Sequence, residues 1–231
     1  MGLTGSAYAT VRLNWNPAYR VIPTRYPAIS VFDRIASADD FDALFALEAL
    51  TNDRVRDELG QIELVPRTER RFGPGSGPIM AAFTHLNPLG SRFSDGSYGV
   101  FYCARDADTA IAETVHHSAR FLAATAEPAM NLQMRLYTVK AAGQVIDLRK
   151  LGIDAAAVFD RSDYSHSQAL ARRLRGVGAT GAVYPSVRRA KGQCLAAFTP
   201  KLLNNCAHAA YLQYSWNGHE IDAVFEFSRR A

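Results

Sequence analysis

The chain has 231 residues, 48% of them hydrophobic, enough for one large domain with a buried core and too few for two full domains as the default. Its 26 Lys and Arg against 22 Asp and Glu leave a formal charge of +4, a modest basic excess that favours anionic ligands but falls short of a nucleic-acid-binding face. No stretch reaches the roughly 18 consecutive apolar residues of a membrane span, and the opening residues lack a basic-then-apolar leader, so a cytoplasmic protein with no membrane association is expected.

In chain order, residues 18–22 (AYRVI) read as a short strand carrying Arg20, ended by Pro23 and Pro27. From Asp39 to Leu59, Phe41, Leu44, Phe45, Val55 and Leu59 recur at helical spacing, with Ser37 or Asp39 as cap and Gly60 as stop. Residues 66–78 (PRTERRFGPGSGP) read as loop. The run Gly73, Gly75, Gly77 lacks the spacing of a dinucleotide fingerprint, and no helix is expected after it. Val100 to Cys103 forms a short apolar strand pattern that includes Tyr102, and Asp106 and Asp108 open a helical pattern that contains Glu113.

Asn131 to Thr138 alternates Leu132, Met134 and Leu136 with polar residues and predicts a half-buried strand, followed by a separate one at Gln144 to Leu148. A helical stretch from Ser165 to Arg175 leads through Gly176 and Gly178 into a strand at 181–184, and Gln193 to Phe198 gives another. Asn217-Gly218 between two alternating runs predicts a C-terminal β-hairpin at 208–228 with a tight type I′ turn. Strands outnumber helices and mostly adjoin without helical crossovers. The expected fold class is therefore α+β: one domain over 1–231, a largely antiparallel sheet with flanking helices, and residues 24–89 as an insertion or extension.

Several chemistries drop out early. There is no phosphate-binding GxxxxGK[ST] loop, HExxH, GxSxG or calcium loop. Cys103, Cys194 and Cys206 are odd in number and widely spaced, which argues against a disulfide framework or a zinc site, and Cys103 and Cys194, in strand-like apolar runs, read as small core residues. His116 and His117 point about 100° apart on a helix and do not chelate a metal together. Basic clusters at Arg67, Arg70, Arg71, at Arg172, Arg173, Arg175 and at Arg188, Arg189, Lys191 each read first as a solvated face.

The informative segment is GSRFSDGSYGVFYCARDADTAIAETVHH, residues 90–117, in which a turn, a strand and a helix carry Arg92, Tyr102 and Glu113 in succession. Taken alone, Glu113 lies about 200° around its helix from Ile111, off the apolar stripe, where a solvated carboxylate is the default. Far downstream, the apolar run Gly181 to Val183 is followed by Tyr184, Pro185 and Ser186, which puts a hydroxyl at a strand end. These blocks, with AYRVI around Arg20 and GAVYPSVRRAKGQCLAAFTP, occur in the order seen in the RES domain family, which the chain resembles. Where that family typically shows a Gly-Gly-Arg-Trp-Asn turn, this chain has Gly90-Ser91-Arg92-Phe93-Ser94.

The resemblance implies an ADP-ribosyltransferase-like fold, and a bacterial toxin of a toxin–antitoxin pair that breaks the nicotinamide–ribose bond of NAD. Phosphorolysis or hydrolysis would deplete the cofactor. The other readings are an ADP-ribosyltransferase that modifies a host protein and a non-catalytic NAD-binding module. NAD is then a substrate rather than a prosthetic group, and inorganic phosphate a co-substrate. The implied partner is an antitoxin with an Xre-like helix-turn-helix domain; a homo-oligomer is left open, and neither a metal nor direct nucleic-acid binding is expected. By the same resemblance Glu113, Arg92 and Ser186 are the candidate catalytic residues, and Arg20, Arg92, Tyr102, Tyr19 and Ser186 the candidate NAD contacts. The residue types suit the chemistry. A carboxylate can face the positive charge that develops on the ribose, and Arg offers a fixed fork to phosphate oxygens.

Overall fold

The computed structural model describes residues 8–26, 31–35, 37, 39–41, 57–152 and 154–227. Seven strands form one sheet: β1 (Thr10–Pro23), β2 (Phe101–Ala104), β3 (Met130–Asp147), β4 (Gly181–Pro185), β5 (Gln193–Ala197), β6 (Leu203–Trp216) and β7 (Ile221–Phe227). Their order is β1-β2-β5-β4-β3-β6-β7, and β1 also pairs with β3, so the first five positions close into a ring. All neighbours are antiparallel except β3 and β4. A parallel pair needs a crossover, and the chain between them supplies one through a helical turn at Ala155–Val158 and a helix at Ser165–Gly176.

The central strands alternate strictly. Phe101, Cys103, Val183, Leu195 and Ala197 enter one core, while Ala104, Ala182, Tyr184, Cys194 and Ala196 enter a second on the opposite face. The first core is covered by α1 (Ser76–Thr84) and by Val31, Phe32, Ile62 and Val65 from the chain before it. The second is covered by α2 (Ala107–Ala124) and by α3, the Ser165–Gly176 helix. The domain is thus a three-layer α+β structure with the sheet in the middle.

Several elements differ from the sequence expectation. The helix α1 occupies the end of the segment read as loop: Ser76, Gly77, Ile79, Met80, Phe83 and Thr84 are all buried, so it lacks the one-sided period that marks a surface helix. Pro78 falls in its first turn, where a missing N–H costs little, and Asp33 Oδ1 accepts from Gly77 N at 2.6 Å as a cap supplied by another segment. The 18–22 strand extends to fourteen residues, and the strands expected at 131–138 and 144–148 are one eighteen-residue strand. The hairpin turn is a four-residue loop, not a tight two-residue one, because Trp216 pairs with Ile221 and Asn217 Oδ1 accepts from His219 N and Glu220 N, both at 2.9 Å. The helix expected over Asp39–Leu59 lies mostly outside the described residues; Ser37 Oγ does accept from Asp40 N at 3.1 Å.

One irregularity has consequences for the site. The β1–β3 register shifts between Trp15 and Ala18, around Asn16-Pro17, where proline has no N–H for the ladder. Leu13, Trp15 and Ala18 all face the first core despite the uneven spacing, whereas Tyr19 and Val21 face the second. Arg20 is thereby sent to the first-core side.

The chain entering β2 passes so close to α1 that a Cβ on Gly99 would lie 2.3 Å from both Ala82 O and Phe83 Cα. Because both obstacles are backbone, Gly99→Ala is expected to destabilise the fold by about 1–3 kcal/mol, read as a lowered urea midpoint with an unchanged slope; a wild-type midpoint would contradict this packing.

Candidate active site

The helix α2 starts where the sequence signals it. Asp106 is its cap, accepting from Thr109 N at 2.9 Å, and so fixes the rotation of Glu113 two turns later. Arg189, from the turn between β4 and β5, pairs with Asp106 at 3.3 Å and Asp108 at 2.9 Å. That turn comes very near the helix: a Cβ on Gly192 would lie 2.8 Å from the Thr109 hydroxyl. The close approach delivers Ser186 to Glu113. Ser186 Oγ donates to Glu113 Oε1 at 2.6 Å and accepts from the backbone N–H groups of Arg188 (3.1 Å) and Arg189 (3.0 Å). With both lone-pair directions occupied, the hydroxyl proton is directed at the carboxylate. The Cys194 thiol points at the same Glu113 oxygen from 3.9 Å.

Arg92 comes from a tight turn on the same side of the sheet. Ser91 and Ser94 form an antiparallel bridge, and Gly90 is held at φ +71° with Ser94 O 2.5 Å from where a Cβ would be. Phe93 is fully buried edge-on against Tyr184 at 4.8 Å, so an aromatic ring anchors the turn. Ser94 Oγ donates to Tyr98 O at 2.5 Å and accepts from Gly96 N at 3.1 Å. Gln168 of α3 donates to Ser91 O (3.0 Å) and Ser94 O (3.2 Å). Arg92 is 6% exposed; its guanidinium donates through Nη1 to Asp160 O (2.8 Å) and Val158 O (3.3 Å) and lies 4.6 Å over the Tyr164 ring.

Tyr102 also serves this turn. Its hydroxyl accepts from Phe93 N at 2.9 Å and shares a hydrogen with Ser91 Oγ at 2.8 Å, and burial pushes its pKa well up, so it stays neutral. Tyr19, opposite Ala104 in register, packs on this face. Arg20 does not join the group. Its guanidinium stacks 4.3 Å over Phe101 and donates to Tyr102 O at 3.0 Å, and its Nε is buried without a partner among the described residues. Arg20 and Tyr102 line a cavity of about 690 Å³ together with Arg25, Phe121 and Arg135, and neither Glu113 nor Ser186 lines it.

Electrostatically the Glu113 end of the site is basic. Loss of hydration, then the fields of Arg188, His117 and Arg120, bring His116 down to about 4 against the opposing pull of Glu113. Loss of hydration, then Arg188, Arg92 and Arg120, bring His117 to about 4 although part of its ring remains open to solvent. Both rings are therefore neutral at pH 7. The basic run at 188–191 gave no sign in the sequence that Arg188 approaches this site from a turn; the proximity depends on the Gly192 contact, which spacing does not reveal.

The described residues thus define an α+β protein in which a helix carboxylate is bonded to a strand-end serine beside a buried arginine. The family model of the RES domain matches residues 66–217, and the chain belongs to the RES domain family. An uncharacterized protein, y4oC, of Sinorhizobium fredii (strain NBRC 101917 / NGR234) is 33% identical over 212 residues, covering 90% of this chain and 86% of that protein. Among solved structures, the M. tuberculosis MbcT–MbcA toxin–antitoxin complex contains a chain that aligns with a TM-score of 0.45 at 15% identity, covering 87% of this chain and 86% of that one. Among the described residues, no helix is long and apolar enough to cross a membrane.

The histidine shifts give a pH prediction. A histidine at about 4 in the fold and 6.5 in its ordinary state binds its proton more readily when unfolded. Its contribution is complete above pH 6.5 and is lost as pH falls towards 4. The Tm of the wild type should fall across that window, and His116→Gln/His117→Gln should fall less; parallel curves for the two proteins would refute the assignment.

Proposed function

We propose that the protein cleaves the nicotinamide–ribose bond of NAD, transferring ADP-ribose to inorganic phosphate, and acts as a toxin by depleting the cofactor. The observation that carries this reading is the Ser186–Glu113 bond at 2.6 Å. One carboxylate oxygen is tethered by the hydroxyl, which leaves the other for a ribose hydroxyl.

In phosphorolysis a phosphate oxygen forms a bond to the ribose C1″ as the C1″–N bond breaks. The electron pair returns to the pyridinium nitrogen, so nicotinamide leaves neutral and requires no general acid. What the site must supply is an anion beside the oxocarbenium-like carbon and cations for the phosphates. In this reading Glu113 supplies the anion and Arg92 a permanent cation, and the neutral histidines add no positive charge near the reacting carbon. Ser186 positions the carboxylate and is not itself the nucleophile: the base it touches is Glu113, whose charge this reading reserves for the ribose. Membership of the RES family supports the activity, and the proposed partner is an antitoxin with an Xre-like helix-turn-helix domain that covers the site.

The test is incubation with NAD, with and without inorganic phosphate, following nicotinamide and the ribosyl product by mass spectrometry. Phosphate-dependent release giving ADP-ribose 1″-phosphate is expected; equal release without phosphate would make the protein a glycohydrolase, and no release from bound NAD would overturn the reading. Glu113→Gln should retain NAD affinity and Tm while losing roughly 10²–10³-fold in kcat, the usual scale for removing one charge-stabilising group. Wild-type turnover in that variant would remove Glu113 from the mechanism.

A further inference from the structure

Two guanidinium groups from distant parts of the chain are fastened to consecutive carbonyls of one loop. Arg92 Nη1 donates to Asp160 O at 2.8 Å, and Arg188 Nη2 donates to Arg161 O. Each leaves donors over: among the described residues, the Arg188 Nε is enclosed with no partner, and Arg92 is bonded only through Nη1. The Tyr164 hydroxyl, on the ring beneath Arg92, is likewise buried without a partner among the described residues.

Among the described residues, neither arginine pairs with a carboxylate, in contrast to Arg189, which holds Asp106 and Asp108. The nearby acids are engaged. Asp160 Oδ1 accepts from Ser162 N (2.8 Å) and Asp163 N (2.7 Å), and Glu113 accepts from Ser186. The unbalanced charge is felt by both adjacent histidines. Two fixed forks with free N–H groups, a free hydroxyl and no counter-anion make a receptor for a tetrahedral dianion.

We propose that Arg92 and Arg188 form a clamp for a phosphate group, with the Tyr164 hydroxyl as a third donor, and that Arg188 is a binding residue of the site. The choice of ligand rests on the NAD-cleaving reading above. That chemistry can come from the pyrophosphate of the dinucleotide or from free inorganic phosphate.

Binding is measured without turnover, by calorimetry and by NMR of the His117 ring, using inorganic phosphate and a non-cleavable NAD analogue as separate probes on the full chain. An anion in the clamp should raise the His117 pKa from about 4. Arg188→Gln should weaken binding about tenfold or more, the scale of one charged hydrogen-bonding group, and Arg188→Lys should restore part of it. Arg189→Gln should lower Tm and leave anion affinity unchanged.

If phosphate and the analogue compete and both weaken in Arg188→Gln, the clamp holds the pyrophosphate. If they bind together and only phosphate weakens, it holds the free acceptor. Unchanged affinity for both probes in Arg188→Gln, or no effect of either on His117 in the wild type, overturns the clamp. Anion binding that survives alongside a failure to release nicotinamide would count against the NAD-cleaving reading alone.

Discussion

A sheet buried on both faces must divide every central strand between two cores, and the rest of this structure follows from that constraint. Phe101 and Cys103 face one way and Tyr102 and Ala104 the other; the same division runs through β4 and β5. Each face then needs a cover, which α1 gives on one side and α2 with α3 on the other. The candidate site residues Arg92, Tyr102, Glu113 and Ser186 all belong to the α2–α3 side, where the polar ends of strands and turns meet the helices. The hydroxyl of Ser186 marks the point where strand β4 stops adding to the core and begins to serve α2.

The site is assembled from local closures that each satisfy backbone groups. The turn carrying Arg92 is held by Tyr102, Gln168 and its own serines, and the turn carrying Arg188 is held by Ser186 and the nearness of Gly192 to α2. Neither arginine side chain is itself needed to close its turn. Such a division lets a guanidinium be held by part of its fork while its other donors are left over.

Much of this was legible in the sequence where the signal was local. The Asp106 cap, the Ser165–Arg175 helix and the strand ending near Ser186 rest on residues a few positions apart, and the structure has them within a residue or two. The helix α1 is not legible because it is buried nearly all round, and β3 reads as two strands because the small residues Ala141, Ala142 and Gly143 interrupt the alternation. The side of the sheet taken by Arg20 was not legible: an alternating count through β1 puts it with Glu113, and only the register shift at Asn16-Pro17 reverses the phase. The nearness of Arg188 to His117 depends on a contact between segments some eighty residues apart in sequence, for which no single-chain pattern exists.

The three cysteines lead to a different consequence. Cys103, Cys194 and Cys206 are buried, and burial raises each thiol, Cys103 and Cys206 to about 12 and Cys194 further still. Oxidants and electrophiles attack the thiolate, which none of the three supplies at neutral pH. A sulfur held 3.9 Å from the Glu113 carboxylate is thus chemically silent, so peroxide stress would leave the geometry around that carboxylate intact until the domain itself opens.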